Sequence, residues 1–168
     1  MKNLSIFAAI LFAVVLGNNV NAQNSSEASS SASAELISPI TITNEVPLNF
    51  GKIAKSDELG TVVISHDGSN TATYSPATMK TTLISPTAAK FNITGDKDEK
   101  FSVTLPSSIK ISKGSDEMTI TPTMNLTATN NVLGATATEL YVGGTLTIPA
   151  AQPIGSYTGT FNVTVSYE

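Results

Sequence analysis

Gly155-Ser156-Tyr157-Thr158-Gly159-Thr160-Phe161-Asn162-Val163-Thr164-Val165-Ser166-Tyr167-Glu168 is the stretch that decides the fold. Successive side chains on a strand point to opposite faces, so Tyr157, Gly159, Phe161, Val163, Val165 and Tyr167 share one face and Thr158, Thr160, Asn162, Thr164 and Ser166 share the other. This is the pattern of a half-buried strand. Its β-branched and aromatic content has to be tied into a sheet or offered to a partner, and the choice between the two decides the function.

Working back from that strand, the sequence reads as strand, turn, strand, with no segment long and periodic enough for a helix. Strands are expected over 36–43, 46–54, 59–65, 71–75, 79–85, 90–94, 100–105, 108–112, 117–128 and 139–149. Asp67-Gly68 is a hairpin signal, Gly95-Asp96-Lys97-Asp98-Glu99 a polar turn, and residues 129–138 a loop. Met118, Ile120, Met124 and Leu126 keep one parity with Pro122 among them, which marks an edge or bulge. Gly143-Gly144 predicts a kink in its strand. Many short strands punctuated by Gly, Pro and Asn predict an all-β fold, a single antiparallel β-sandwich of immunoglobulin-like or pilin-like Greek-key type over residues 36–168.

The start of the chain reads as a secretory signal over residues 1–22. Lys2 is followed by an apolar run from Ile6 to Leu16, and Val20-Asn21-Ala22 offers small residues for a cut between Ala22 and Gln23. The apolar run is too short to span a bilayer well, and no transmembrane segment is expected in the mature chain. Export to the periplasm, cell surface or medium is the expectation. Roughly 145 residues would then remain, enough for one core. With no cysteine, stability has to come from packing and sheet hydrogen bonds.

The formal charge is −4, becoming −5 once Lys2 leaves with the signal, and the chain has no arginine. No nucleic-acid partner is expected, because nothing resembles a basic phosphate-binding stripe. Residues 23–35 are serine-rich and carry no large apolar side chain, which reads as a flexible leader. A second reading is a donor segment, since Ala32, Ala34, Leu36, Ile40 and Ile42 share one parity and could lie as a strand on another sheet.

Candidate chemistry is sparse. His66 is the single histidine and sits beside the Asp67-Gly68 turn, a place for an exposed turn residue rather than a general base. There is no thiol and no Gly-x-Ser-x-Gly elbow. Asp96-Lys97-Asp98-Glu99 lacks the ligand spacing and glycine of a calcium loop, and Asp116-Glu117 reads as another solvated turn. No catalytic, cofactor or metal site is expected.

Several motifs together resemble a family of secreted bacterial proteins catalogued as domain of unknown function 4402. They are Pro39-Ile40-Thr41-Ile42, Leu48-Asn49-Phe50-Gly51, Gly60-Thr61-Val62, Ala89-Lys90-Phe91 ending at Gly95, Phe101 to Leu105-Pro106, Val142-Gly143-Gly144-Thr145-Leu146, and Gln152 with Gly155 and Tyr157-Thr158-Gly159-Thr160. The last strand also resembles the ends of chaperone-usher pilus subunits, which carry an aromatic next to last and a glycine fourteen positions from the end, the places of Tyr167 and Gly155. That second resemblance implies a sandwich open along one edge, an assembly edge at Gly155, Tyr157, Phe161, Val163, Val165 and Tyr167, and a periplasmic chaperone and identical or related subunits as partners. The chain departs from the pilus pattern in lacking paired cysteines and in the small side chains of its candidate donor. The rival expectation is a self-contained secreted module binding a cell-surface glycan or envelope polymer, its last strand paired within its own sheet.

Overall fold

The computed structural model describes residues 25–168. The expected signal segment, the cut between Ala22 and Gln23, and the first leader residues lie outside the described residues. The chain divides into two units at Glu35 and Leu36. In the first, residues 25–35 have no regular secondary structure and every residue is exposed, Ala32 and Ala34 included.

The second unit is all-β. Its strands are β1 (Thr41–Val46), β2 (Gly60–Ile64), β3 (Ala72–Ser75), β4 (Ala89–Thr94), β5 (Lys100–Thr104), β6 (Ile109–Lys113), β7 (Asp116–Met124), β8 (Asn131–Val132), β9 (Thr138–Ile148) and β10 (Thr164–Tyr167). Every pairing is antiparallel. β10, β5 and β8 make a three-stranded sheet and the other seven strands make a second one. The two pack as a sandwich, because Ala89, Ile93, Leu140 and Val142 of the large sheet close one apolar cluster with Phe101 and Val103 of the small sheet.

β9 is the strand on which the large sheet is built. Leu140, Val142, Leu146 and Ile148 are buried, while Glu139, Tyr141, Thr145 and Thr147 alternate with them. One edge of β9 carries β4 opposite residues 138–142 and then β2 opposite residues 144–148. The other edge carries β7 along residues 142–147. Gly143 and Gly144 stand where the first edge changes partner. A Cβ on Gly143 would run into the Ile64 carbonyl oxygen, and one on Gly144, whose φ is +154°, would lie 2.6 Å from the Thr121 carbonyl oxygen. The expected kink is therefore the junction of four strands, and its glycines let three backbones meet.

β7 keeps the parity seen in the sequence: Met118 and Ile120 are buried and Pro122 and Met124 half-buried on the same face. β6 reaches no further along β7 than Ile120, so Pro122 sits where the outer edge has no partner strand among the described residues and no ladder bond to one is lost.

Four expectations need correction. Residues 46–54 do not form a ladder strand; β1 bulges between Asn44 and Val46, Pro47 has no amide proton, and Gly51 turns at φ +74° with its amide bonded to Asn49 Oδ1 at 2.8 Å. Past Val46, which ends β1, Asn49 alone among the described residues of the segment bridges, to Thr87. Residues 79–85 hold no strand either: a 3₁₀ turn, Ala77–Met79, drops Met79 into the core against Gly60. The expected loop 129–138 contains β8, paired to β5, and Leu133, which is 2% exposed.

The fourth concerns the last stretch, which is less regular than its sequence. Its side chains alternate as read, with Tyr157, Phe161, Val163, Val165 and Tyr167 half-buried and the residues between them exposed, though Gly159 itself is exposed. Its backbone pairs only at Thr158, which bridges Ser112 of β6, and again at residues 164–167 along β5. Between them the chain passes from one sheet to the other. Gly159 allows this passage, since a Cβ there would collide with the Lys110 carbonyl oxygen.

Candidate strand-docking groove

Two apolar clusters fill the sandwich. One contains Phe50, Val62, Ile64, Met79, Ile109, Met118, Ile120, Leu146 and Ile148, the other Ile93, Phe101, Val103, Leu133, Leu140 and Val142. Leu48 and Phe161 pack against both. Phe161 also meets the edge of the Phe91 ring, centroids 6.3 Å apart at 78°. Both bridging side chains come from the segments that failed to become full strands.

Those segments, residues 47–56 and 152–159, form the walls of a groove of about 950 Å³. Its floor is core: Ile111, Met118, Ile120, Leu146 and Ile148. Its lip carries Leu83, Ile84 and Ile154, exposed by 72%, 44% and 78%. Large aliphatic side chains clustered at an opening onto the core make an apolar patch, the kind of surface that a partner covers.

The walls also offer backbone. Along residues 47–56, Asn49 bonds to Thr87, Ala54 donates to Met79 O at 2.9 Å, and Gly51 is held by the Asn49 side chain. The amides of Leu48, Phe50 and Ile53 have no partner among the described residues. On the facing wall, Thr158 bonds to Ser112 and Gln152 donates to Pro149 O at 3.3 Å, while the amides of Ser156, Tyr157 and Gly159 have none among the described residues. Tyr157 is fixed in place by its hydroxyl, which donates to Pro153 O at 2.7 Å. Free backbone groups beside an apolar floor are what an added strand requires.

Of the sequence-read assembly residues, Gly155 and Tyr157 line this groove, and Gly159 of the same stretch lines it with them. Val163, Val165 and Tyr167 pack instead on the second cluster and Phe161 on both, and β10 pairs with β5 and has no partner strand on its other edge among the described residues. Tyr167 has a polar task as well: its hydroxyl accepts from Asp96 N and donates to Ser38 O, both at 2.7 Å, tying the β4–β5 turn to the entry into β1. Leu36 is 94% exposed, while Ile40 and Ile42 pack against the second cluster of their own domain. Sequence reading missed the wall at residues 47–56; the Leu48-Asn49-Phe50-Gly51 motif was the available signal, with a turn glycine directly after two alternating apolar residues.

The ion pairs of Lys90 with Glu45 and Glu139 stand apart from the groove. Lys90 Nζ lies 2.7 Å from Glu139 Oε1 and 3.1 Å from Glu45 Oε2, and the Tyr141 hydroxyl donates to Glu139 Oε2 at 2.8 Å. The Glu139 hydrogen bond, with that of Glu45 behind it, holds the Lys90 amine above the usual lysine range. Lys90 and then Tyr141 hold the Glu139 carboxyl below the usual range. A depressed carboxylate stabilises the fold above its unfolded pKa of about 4.3 and ceases to as pH falls; a raised amine stabilises it below about 10.4 and ceases to as pH rises. The network is therefore intact across neutral pH. Lys90→Met is expected to return the Glu139 titration upward, read by carboxyl NMR, with little change in stability at pH 7 because exposed pairs contribute only about 0–1 kcal/mol. At the β2–β3 turn, hydrogen bonds from Ser69 hold the Asp67 carboxyl at about 2, and His66 Nδ1 lies 3.0 Å from Thr123 Oγ1.

Fold and groove together define an all-β sandwich domain with an open apolar edge between two incompletely paired segments. The chain belongs to the family described as Domain of unknown function (DUF4402), whose profile matches residues 40–167. No curated protein and no solved structure shows a significant match to it. Among the described residues no helix is long and apolar enough to cross a membrane.

Proposed function

We propose that this is an exported, non-enzymatic structural protein, a pilin-like surface subunit that joins its neighbours by strand addition. The observation that carries the reading is the groove between residues 47–56 and 152–159, apolar at its floor and carrying on both walls amides with no partner among the described residues. A periplasmic chaperone in transit, and identical or related subunits afterwards, are the partners this reading supplies. An extended chain laid there would gain ladder hydrogen bonds from the walls and bury side chains on Ile111 and Met118.

Ile111 is half-buried in the floor, so a carboxylate there would make the groove unfit for an apolar strand without removing a central core residue. Ile111→Glu is expected to remove this chain from high-mass surface assemblies in its native host, while Thr43→Glu on the exposed face of β1 leaves them intact. Unchanged assemblies with Ile111→Glu would sink the reading.

A second reading is favoured by one observation. β10 pairs with β5, so the end of the last strand is engaged within its own domain, as a self-contained secreted module binding glycan or envelope polymer requires.

A further inference from the structure

We propose that the groove takes an extended segment of a different protein, one with branched or aromatic side chains at alternate positions and an acidic residue, and not the leader of a second copy of this chain. The inference rests on the strand-addition reading above and identifies its donor.

Depth is the first ground. The floor is made of Met118, Ile120, Leu146 and Ile148, and the lip of Leu83 and Ile154, all large side chains facing about 950 Å³ of open volume. Residues 25–35 are Ser-Ser-Glu-Ala-Ser-Ser-Ser-Ala-Ser-Ala-Glu, so the largest apolar group they could insert is a methyl. Side chains along one face of a strand recur about every 6.6–6.8 Å, and a row of methyls at that spacing would leave most of the groove unfilled. The first large apolar residues of this chain, Leu36 and Ile37, stand immediately before Pro39 and β1. Ile40 and Ile42 are already packed in their own domain, so Leu36 and Ile37 are the only large apolar side chains next to the leader that stay exposed, too few to fill the groove.

Charge is the second ground. The chain carries a net −4, yet the charged residues lining the groove are both lysines, Lys52 and Lys55. Lys55 lies 3.2 Å from Asp57, while Lys52 has no ion-pair partner among the described residues. Lys52 on the wall of an acidic protein favours an incoming segment that brings a carboxylate; Glu27 and Glu35 give the leader that charge too, so it is depth that excludes the leader and charge that adds the acidic residue to the donor's description.

The test adds synthetic peptides to the purified chain spanning residues 23–168 and reads the thermal midpoint and the native mass. One peptide alternates threonine with valine, isoleucine and phenylalanine and carries one aspartate; the other is the chain's own residues 23–40. The alternating peptide is expected to form a one-to-one complex and raise the midpoint by about 5 °C or more at saturation, with the leader peptide giving no shift. In Ile111→Glu, shown to be folded by circular dichroism, the shift should vanish. An equal shift from the leader peptide overturns the choice of donor and leaves strand addition standing. No shift from either peptide overturns both, and a shift that survives Ile111→Glu places the peptide elsewhere and overturns the proposal.

Discussion

Replacing Gly143 with valine is expected to cost the domain about 4 kcal/mol or more, a large part of the roughly 5–15 kcal/mol that a single domain holds in reserve. A side chain at this position would meet the Ile64 carbonyl oxygen and lie 2.9 Å from that of Ser65, and both are backbone atoms of the neighbouring strand end. Backbone cannot rotate away as a lysine stem can, so β2 would have to leave β9, taking with it Val62 and Ile64, which are 0% and 1% exposed. Gly114 supplies the contrast. It has φ +62° at the β6–β7 hairpin, and a Cβ added there would meet nothing within 4 Å, so Gly114→Ala should cost only about 1 kcal/mol, the conformational term alone. Urea unfolding of the two variants separates collision from conformation. A Gly143→Val protein as stable as the parent would show that the four strands do not meet there.

The second large effect is expected from Val165→Asp, a loss of about 3 kcal/mol at pH 7. Val165 stands opposite Val103, which is 2% exposed, and packs on the cluster around Phe101. The introduced carboxyl would be partly desolvated, which raises its folded pKa above the unfolded value of about 3.9. Its folded state then binds the proton more tightly, so the deficit shrinks as the pH is lowered through that folded pKa toward 4. Equal losses at pH 7 and pH 4 would mean that the site is wetter than its packing implies. Thr164→Asp is the control, because Thr164 is exposed on the opposite face of the same strand and should change stability by less than about 0.5 kcal/mol.

Such face-by-face contrasts were legible in the sequence, because a period of two survives whatever the strand pairs with. The buried rows of β7 and β9 and the half-buried row from Tyr157 to Tyr167 follow from alternation alone, and the sandwich from many such short strands punctuated by Gly, Pro and Asn. Alternation says nothing, however, about whether a backbone is in a ladder. Residues 46–54 and 155–163 carry strand-like side chains, yet a bulge, Pro47 and Gly51 release the first, and a crossing between sheets releases the second. The burial of Met79 and Leu133 escaped for a related reason: each is buried by tertiary contacts that no local period encodes.

The candidate site was half legible. Gly155, Tyr157 and Gly159 were singled out with the last strand, while the facing wall belongs to a segment about one hundred residues earlier. A groove is a relation between distant segments. Its floor could be named from the parity of β7 and β9, but its openness depends on two segments both failing to pair, which becomes visible only once the strands are placed.

Amide hydrogen exchange across the two walls tests the central claim most directly. If the groove receives an added strand, the amides of Leu48, Phe50, Ile53 and Tyr157 exchange rapidly in the purified chain and slow by about a hundredfold or more in assemblies taken from the native host, while Val62 and Leu146 are slow in both. Rapid exchange at those four amides in both states would contradict the account, because the walls would then remain unpaired in the form the protein takes at work.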